Sequence, residues 1–184
     1  MINNGEIARE ITRCLPKNKQ IVVIAIGSDR VTGDCLGPLV GHMLANTGII
    51  VYGDLVSPVT ALSVEETYDV IKKRHPKAVV IAVDSAVGAD KDIGKIKVLP
   101  KGLRPAAAVG RRMPVIGNIS VIGVVSSITN GTKGLGEVRL GYVYRMARAI
   151  SQAIASALSS RDYKVFNIST SESVSSSVPM VMRR

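Results

Sequence analysis

Apolar residues follow two rhythms along this chain. Residues 21–26 and 78–83 are continuous runs of Val, Ile and Ala, and 116–126 is rich in Val and Ile with small residues between, whereas 6–15, 36–44, 64–71 and 138–158 place apolar residues three and four positions apart. The first rhythm belongs to strands covered on both faces, as in a parallel sheet, and the second to helices with one buried stripe. Alternation of the two predicts an α/β fold: a three-layer sandwich with a mostly parallel central sheet flanked by helices.

Residues 21–41 organise the pattern. The run Ile21 to Ile26 meets Gly27, a polar loop carries Asp29 and Arg30, and Gly33-Asp34 opens the next apolar segment. This reads as strand, tight loop and helix, with the loop leaving the carboxyl end of the strand, where open α/β sheets hold their ligands. Leu36, Leu39, Val40, Met43 and Leu44 give the helix one apolar face, Gly48 stops it, and a short strand at 49–52 completes a β-α-β unit with a right-handed crossover. Ser63 three residues before Glu66 has the form of a capping box opening a helix over 63–75. The run 78–83 then ends at Asp84-Ser85, repeating the strand-then-acid logic.

Further on, 93–99 alternates as a half-exposed edge strand. A Pro- and Arg-rich loop spans 100–114, and the glycines of 127–136 predict a mobile connection. The longest helix, over 138–158, should cover one sheet face. Residues 165–168 suggest a last edge strand, and the Ser-rich segment 169–184 has almost no packing signal and reads as a disordered tail. The expected organisation is one domain over 1–168 followed by that tail.

Composition narrows the function classes. The 184 residues can bury a core without a staple, and with 3% aromatic residues that core is aliphatic. Two cysteines, Cys14 and Cys35, provide no disulfide framework, the first ten residues lack the pattern of a signal peptide, and no apolar run approaches the length of a membrane span. A soluble cytoplasmic protein is expected, with no membrane partner. The net charge of +10 concentrates in Lys95, Lys97, Lys101, Arg104, Arg111 and Arg112, a stretch without an acid. A solvated basic face explains it, and no nucleic-acid-binding signature accompanies it; a DNA-associated role would rest on charge alone.

Asp34 and Asp84 are the residues that could do chemistry. Each follows a buried strand, and neighbouring parallel strands bring their carboxyl ends together, so two carboxylates would share one crevice. Such a pair splits its proton affinities, making one group a base that activates water and the other an acid that protonates a leaving group. Asp34 at a helix mouth has its charged form favoured and is the expected base; Asp84, leaving an apolar strand, is the expected acid. The plain alternatives are that Asp34 is an N-cap and Asp84 a chain-turning residue. Asp29 and Arg30 could pair, or Arg30 could hold a substrate carboxylate or carbonyl.

Other sites fit worse. A phosphate loop would need a Gly-Lys-Ser/Thr ending, and Asp34 would repel an anion at that position. The two histidines, His42 and His75, give no metal-ligand spacing with the acids. Cys35 beside a carboxylate is disfavoured as a thiolate and reads as a small buried hydrophobe. No cofactor and no metal are expected.

The segment Gly27-Ser28-Asp29-Arg30-Val31-Thr32-Gly33-Asp34-Cys35-Leu36-Gly37-Pro38-Leu39-Val40-Gly41 resembles the signature loop of the YyaC-type sporulation proteins, which are similar to the spore germination protease. The likeness continues through Ala82-Val83-Asp84-Ser85, Val109-Gly110-Arg111-Arg112-Met113-Pro114 and Val115-Ile116-Gly117-Asn118-Ile119-Ser120, and covers about residues 15–160. It implies a phosphorylase/hydrolase-like fold shared with the hydrogenase maturation endopeptidases, and an aspartate-dependent endopeptidase acting in a spore or sporulating cell. By that resemblance Asp34 and Asp84 fall on the two catalytic aspartates. Ser28, Asp29, Arg30, Thr32, Gly33, Arg111, Arg112 and Asn118 would contact the substrate, with small acid-soluble spore proteins as the implied substrate class and the basic loop 97–112 steering it. The chain is about half the length expected of germination protease, Asn118 stands where an acid is expected, and Ala106 to Ala108 replace glycines. The hydrogenase endopeptidases bind a metal through acids at these two positions and a histidine, which has no match in this chain. A catalytically inactive regulatory or binding relative on the same fold is the alternative reading; homo-oligomerisation is left open.

Overall fold

A computed structural model describes residues 4–105, 113–131 and 133–159. The chain runs through α1 (Asn4–Cys14), β1 (Ile21–Ala25), a 3-10 turn (Thr32–Cys35), α2 (Leu36–Leu44), β2 (Ile50–Tyr52), α3 (Val64–Arg74), β3 (Val79–Gly88), β4 (Ile96–Leu99), β5 (Ile119–Ser127), the short α4 (Lys133–Glu137) and α5 (Leu140–Ser159). The five strands form one sheet in the order β2-β1-β3-β5-β4. All pairs are parallel except β4 with β5, which is antiparallel at the edge. The fold is the expected α/β sandwich with a mostly parallel sheet.

The continuous apolar runs follow from two-sided burial. In β1, Ile21 and Val23 enter the core beneath α1, α2 and α5, while Val22, Ile24 and the following Ile26 enter the second core beneath α3. β3 divides in the same way, Ile81 and Val83 on the first face and Val80 and Ala82 on the second. Residues alternate faces along a strand, so every position must be apolar when both faces are covered. Leu103 and Ile116, bridged antiparallel to each other, help close the second face.

Glycine sets how tightly α2 lies on β1. A Cβ on Gly37 would stand 1.9 Å from the Ile26 carbonyl oxygen, so only glycine lets the first turn of the helix rest on the strand end. Gly27, at φ +146°, turns the chain out of β1, and a Cβ there would stand 2.1 Å from the Asp34 carbonyl oxygen. The two glycines hold Asp34 over the end of β1.

Several local expectations are corrected. β3 does not end at Asp84-Ser85 but continues to Gly88, because β5 goes on pairing with it. The Ser63 capping box does not form: Ser63 has a helical backbone and its hydroxyl turns to the Thr60 backbone. Only the edge half of the predicted 93–99 strand forms, as β4, since Asp90–Asp92 is a turn and Gly94 has φ +92°. The predicted strand 165–168 and tail 169–184 lie outside the described residues. No helix among the described residues is long and apolar enough to cross a membrane.

Candidate active site

The sheet order places a topological switch between β1 and β3: the chain leaves β1 through α2, which packs on one face, and reaches β3 through α3 on the other. In doubly wound sheets the crevice at such a point, beyond the carboxyl ends of the strands, is the ligand site. Asp34 lies in the turn between β1 and α2, and Asp84 is the first residue of β3 after the last one paired with β1, Val83.

Ser85 links the two acids. Its hydroxyl donates to Asp34 Oδ1 at 3.4 Å, long for an O–H···O bond, and its backbone N–H donates to Asp84 Oδ1 at 2.8 Å. Alternation along β3 explains the reach: Asp84 shares a face with Val80 and Ala82, so Ser85 points to the opposite face, where α2 and its preceding turn lie. Ser85 is the residue that sequence reasoning did not select; its position directly after an acid on a two-faced strand was the available signal.

Burial governs the electrostatics. Asp84 is 8% exposed, and loss of solvent pushes its carboxyl well above the usual carboxylate range, helped by the charge of Asp34 and opposed by the Ser85 N–H. Asp34 is half-buried and is also raised by desolvation, with the Ser28 backbone and the Ser85 hydroxyl pulling it down. The helix-mouth expectation for Asp34 is thus corrected in sign, since desolvation outweighs what favours its charged form. The relative order of the pair is unchanged: Asp84 holds its proton more strongly. Asp34 is not the N-cap of α2; that position is Cys35, with no side-chain cap. Cys35 is buried, and its thiol is pushed up by burial and then by Asp29 and Asp34, which disfavours the thiolate.

The other selected residues distribute unevenly. Ser28 donates its N–H to the Asp34 carbonyl at 3.2 Å, and its hydroxyl accepts from the Arg30 N–H at 3.2 Å. Asp29 and Arg30 are exposed and form no ion pair with each other. Thr32 is half-buried, and Gly33 is buried beneath α4, where a Cβ would stand 2.9 Å from the Leu135 carbonyl oxygen. That cover by α4 was not legible in the sequence. Arg111 and Arg112 lie outside the described residues.

Asn118 is a correction. It sits where β5 begins, its side-chain oxygen accepting the Val80 N–H at 2.9 Å and its own N–H donating to the Val80 carbonyl at 2.8 Å. Val80 is four residues before Asp84, about 13 Å along the strand, so Asn118 closes the opposite end of the sheet from the acids. The basic stretch is also less free than its sequence implies: Lys95 and Lys97 both bind Asp92, at 2.7 and 2.9 Å, holding its carboxyl at about 2, and Arg104 donates to the Met113 carbonyl at 2.6 Å.

The donor set does not fit the metal implied by the hydrogenase endopeptidases. Among the described residues no three His, Cys, Asp or Glu side chains converge to hold an ion. His42 is exposed on α2, and His75 is within 3.1 Å of the Tyr52 hydroxyl.

This architecture, a mostly parallel five-stranded sheet between helical layers, is shared with a solved structure. The solved structure of the NiFe hydrogenase maturation protease HycI from Thermococcus kodakarensis KOD1 matches it with a TM-score of 0.53 at 17% identity, over 81% of this chain and 98% of that one. The chain itself belongs to the family described as protein of unknown function DUF1256, whose model matches residues 3–153. It is 36% identical over 143 residues to YyaC of Bacillus subtilis (strain 168), an uncharacterized protein, covering 74% of this chain and 69% of that relative.

Proposed function

We propose that this protein is a sporulation-associated endopeptidase, similar to germination protease, in which Asp34 and Asp84 activate water. The observation that carries the reading is the pairing of a buried, proton-holding Asp84 with a more exposed Asp34 through one serine, at the crevice the sheet order creates. Two carboxyl groups with separated proton affinities are what acid/base hydrolysis requires. The likeness of the fold to that of a hydrogenase maturation protease supports the reaction class.

In this reaction the Asp34 carboxylate takes a proton from water as the water oxygen bonds to the substrate carbonyl carbon. As the C–N bond breaks, protonated Asp84 gives its proton to the leaving nitrogen. The products are a carboxylic acid and an amine, and return of the proton from Asp34 to Asp84 resets the pair. As one coupled system, the two acids have apparent titrations that belong to the pair.

The test is cleavage of purified small acid-soluble spore proteins by the wild-type chain, Asp34→Asn and Asp84→Asn, followed by mass spectrometry of the fragments. Cleavage by wild type and its loss in both variants are expected. Equal activity in all three, or none in wild type, would overturn the proposal in favour of a non-catalytic binding relative.

A further inference from the structure

The parallel ladder between β1 and β3 stops early. Its last pair is Ala25–Val83, followed by the Ile26 N–H donating to the Val83 carbonyl at 2.8 Å, whereas β3 remains paired with β5 as far as Gly88–Ser127. In a parallel ladder, alternate residues present their backbone groups to one neighbouring strand. Val83 faces β1, so Ser85 and Val87 face the same side. The irregularity near this point falls on β5: Ala86 pairs with Val124 and Val87 with Ser126, so the extra residue is Val125.

Both bonds that would extend the ladder by one step are diverted. The Ser85 N–H turns to Asp84 Oδ1 at 2.8 Å instead of to Ile26, and the Ser28 N–H turns to the Asp34 carbonyl at 3.2 Å instead of to Ser85. The Ser85 carbonyl and the N–H and carbonyl of Val87 have no partner strand on that side among the described residues. β3 thus overhangs its neighbour, beginning at the acid pair.

We propose that this overhang is a strand-addition site, where an extended segment of an acidic polypeptide takes the place in the sheet that β1 leaves at Gly27. The proposal deepens the hydrolase reading and rests on it for the chemistry, though not for the binding. An unpaired strand edge offers alternating donors and acceptors about 7 Å apart, the repeat of an extended peptide, and it selects for chain conformation more than for side chains. The net charge of +10 favours an acidic chain over a basic one. Exposed Ile128, directly after β5, and exposed Val56, in the connection following β2, offer apolar contacts at the same end of the sheet. Ser85 itself is buried against the turn that carries Asp34, so a peptide would pair with the half-buried Val87 and run up to the Asp34–Asp84 pair, as cleavage requires.

The test uses the full chain carrying Asp34→Asn and Asp84→Asn, so that binding is read without cleavage. The probe is a fluorescein-labelled ten-residue peptide of alternating valine and glutamate, compared by fluorescence anisotropy with the same peptide N-methylated at every backbone amide. Loss of edge hydrogen bonds should weaken the methylated peptide at least ~10-fold. Val87→Pro, which removes an edge N–H, should weaken the unmethylated peptide ~5-fold or more while Val87→Ala stays within ~2-fold. Thermal unfolding checks that each variant is folded, and the methylated-peptide comparison decides the matter if Val87→Pro is not. Equal binding of the two peptides, or no binding of the unmethylated one, would overturn the proposal. Edge-dependent binding without any cleavage by the wild-type chain would overturn the hydrolase reading alone.

Discussion

The Ser85 hydroxyl reaches from β3 to the carboxylate of Asp34 in the turn ahead of α2, at 3.4 Å. The same residue's backbone holds Asp84. The hydroxyl favours the charged form of Asp34, which in the proposed hydrolase makes Ser85 a positioning residue. Ser85→Ala should lower kcat roughly 10-fold, the loss of about one hydrogen bond, with KM little changed. Because the hydroxyl lowers the Asp34 pKa, its removal should also move the acid limb of the rate profile to higher pH. Ser85→Thr should restore both, which a merely structural role would not predict.

The pH profile follows from burial. Asp34 must be ionised to act as base and is raised above 3.8, so activity should rise with pH later than for an ordinary aspartate. Asp84 must keep its proton and is raised well above 3.8, so activity should fall again as that proton is lost. A bell-shaped dependence of kcat/KM is expected, reporting the pair and not either residue alone. Asp84→Asn should remove the upper limb and lower the rate by about 100-fold or more.

The same shifts make the site a source of instability at neutral pH. A carboxyl whose folded pKa lies above its unfolded value contributes stability below the unfolded pKa and loses it as pH rises through the folded one. For Asp84 that window opens near 3.8 and extends upward to its raised pKa, with stability falling across it. Asp84→Asn should therefore stabilise the protein at pH 7 by about 1 kcal/mol and flatten the decline, as read by urea unfolding over a pH series.

Asn118 should behave as a structural residue. Asn118→Ala deprives the Val80 N–H of its acceptor and should cost about 1 kcal/mol in urea unfolding, while KM and kcat for a cleaved substrate stay unchanged. A selective rise in KM would return Asn118 to the substrate site.

The fold was largely legible because two-sided burial leaves a mark in one dimension. The short, unbroken, β-branched runs at Ile21 to Ile26 and Ala78 to Val83 read as covered strands, and the three- and four-residue spacing of Val143, Met146, Ala147, Ile150 and Ile154 reads as a one-faced helix. Asp34 and Asp84 stood out for the same reason, as acids beyond such runs, Asp84 directly and Asp34 after a loop. Local polar signals were less reliable. Ser63 and Glu66 have the spacing of a capping box, yet the Thr60 backbone captures the serine, a competition that spacing does not record.

The sequence by itself determined the α/β layering and the two acids, since both depend on which residues must avoid water. Tertiary structure alone decided the strand order, the bridge from Ser85 to Asp34, the cover of Gly33 by Leu135, the distant place of Asn118 and the overhang of β3 beyond β1. These are contacts between residues far apart in the chain. They are fixed by the register of neighbouring strands and by how closely Gly27 and Gly37 let α2 approach, and neither leaves a period in the sequence.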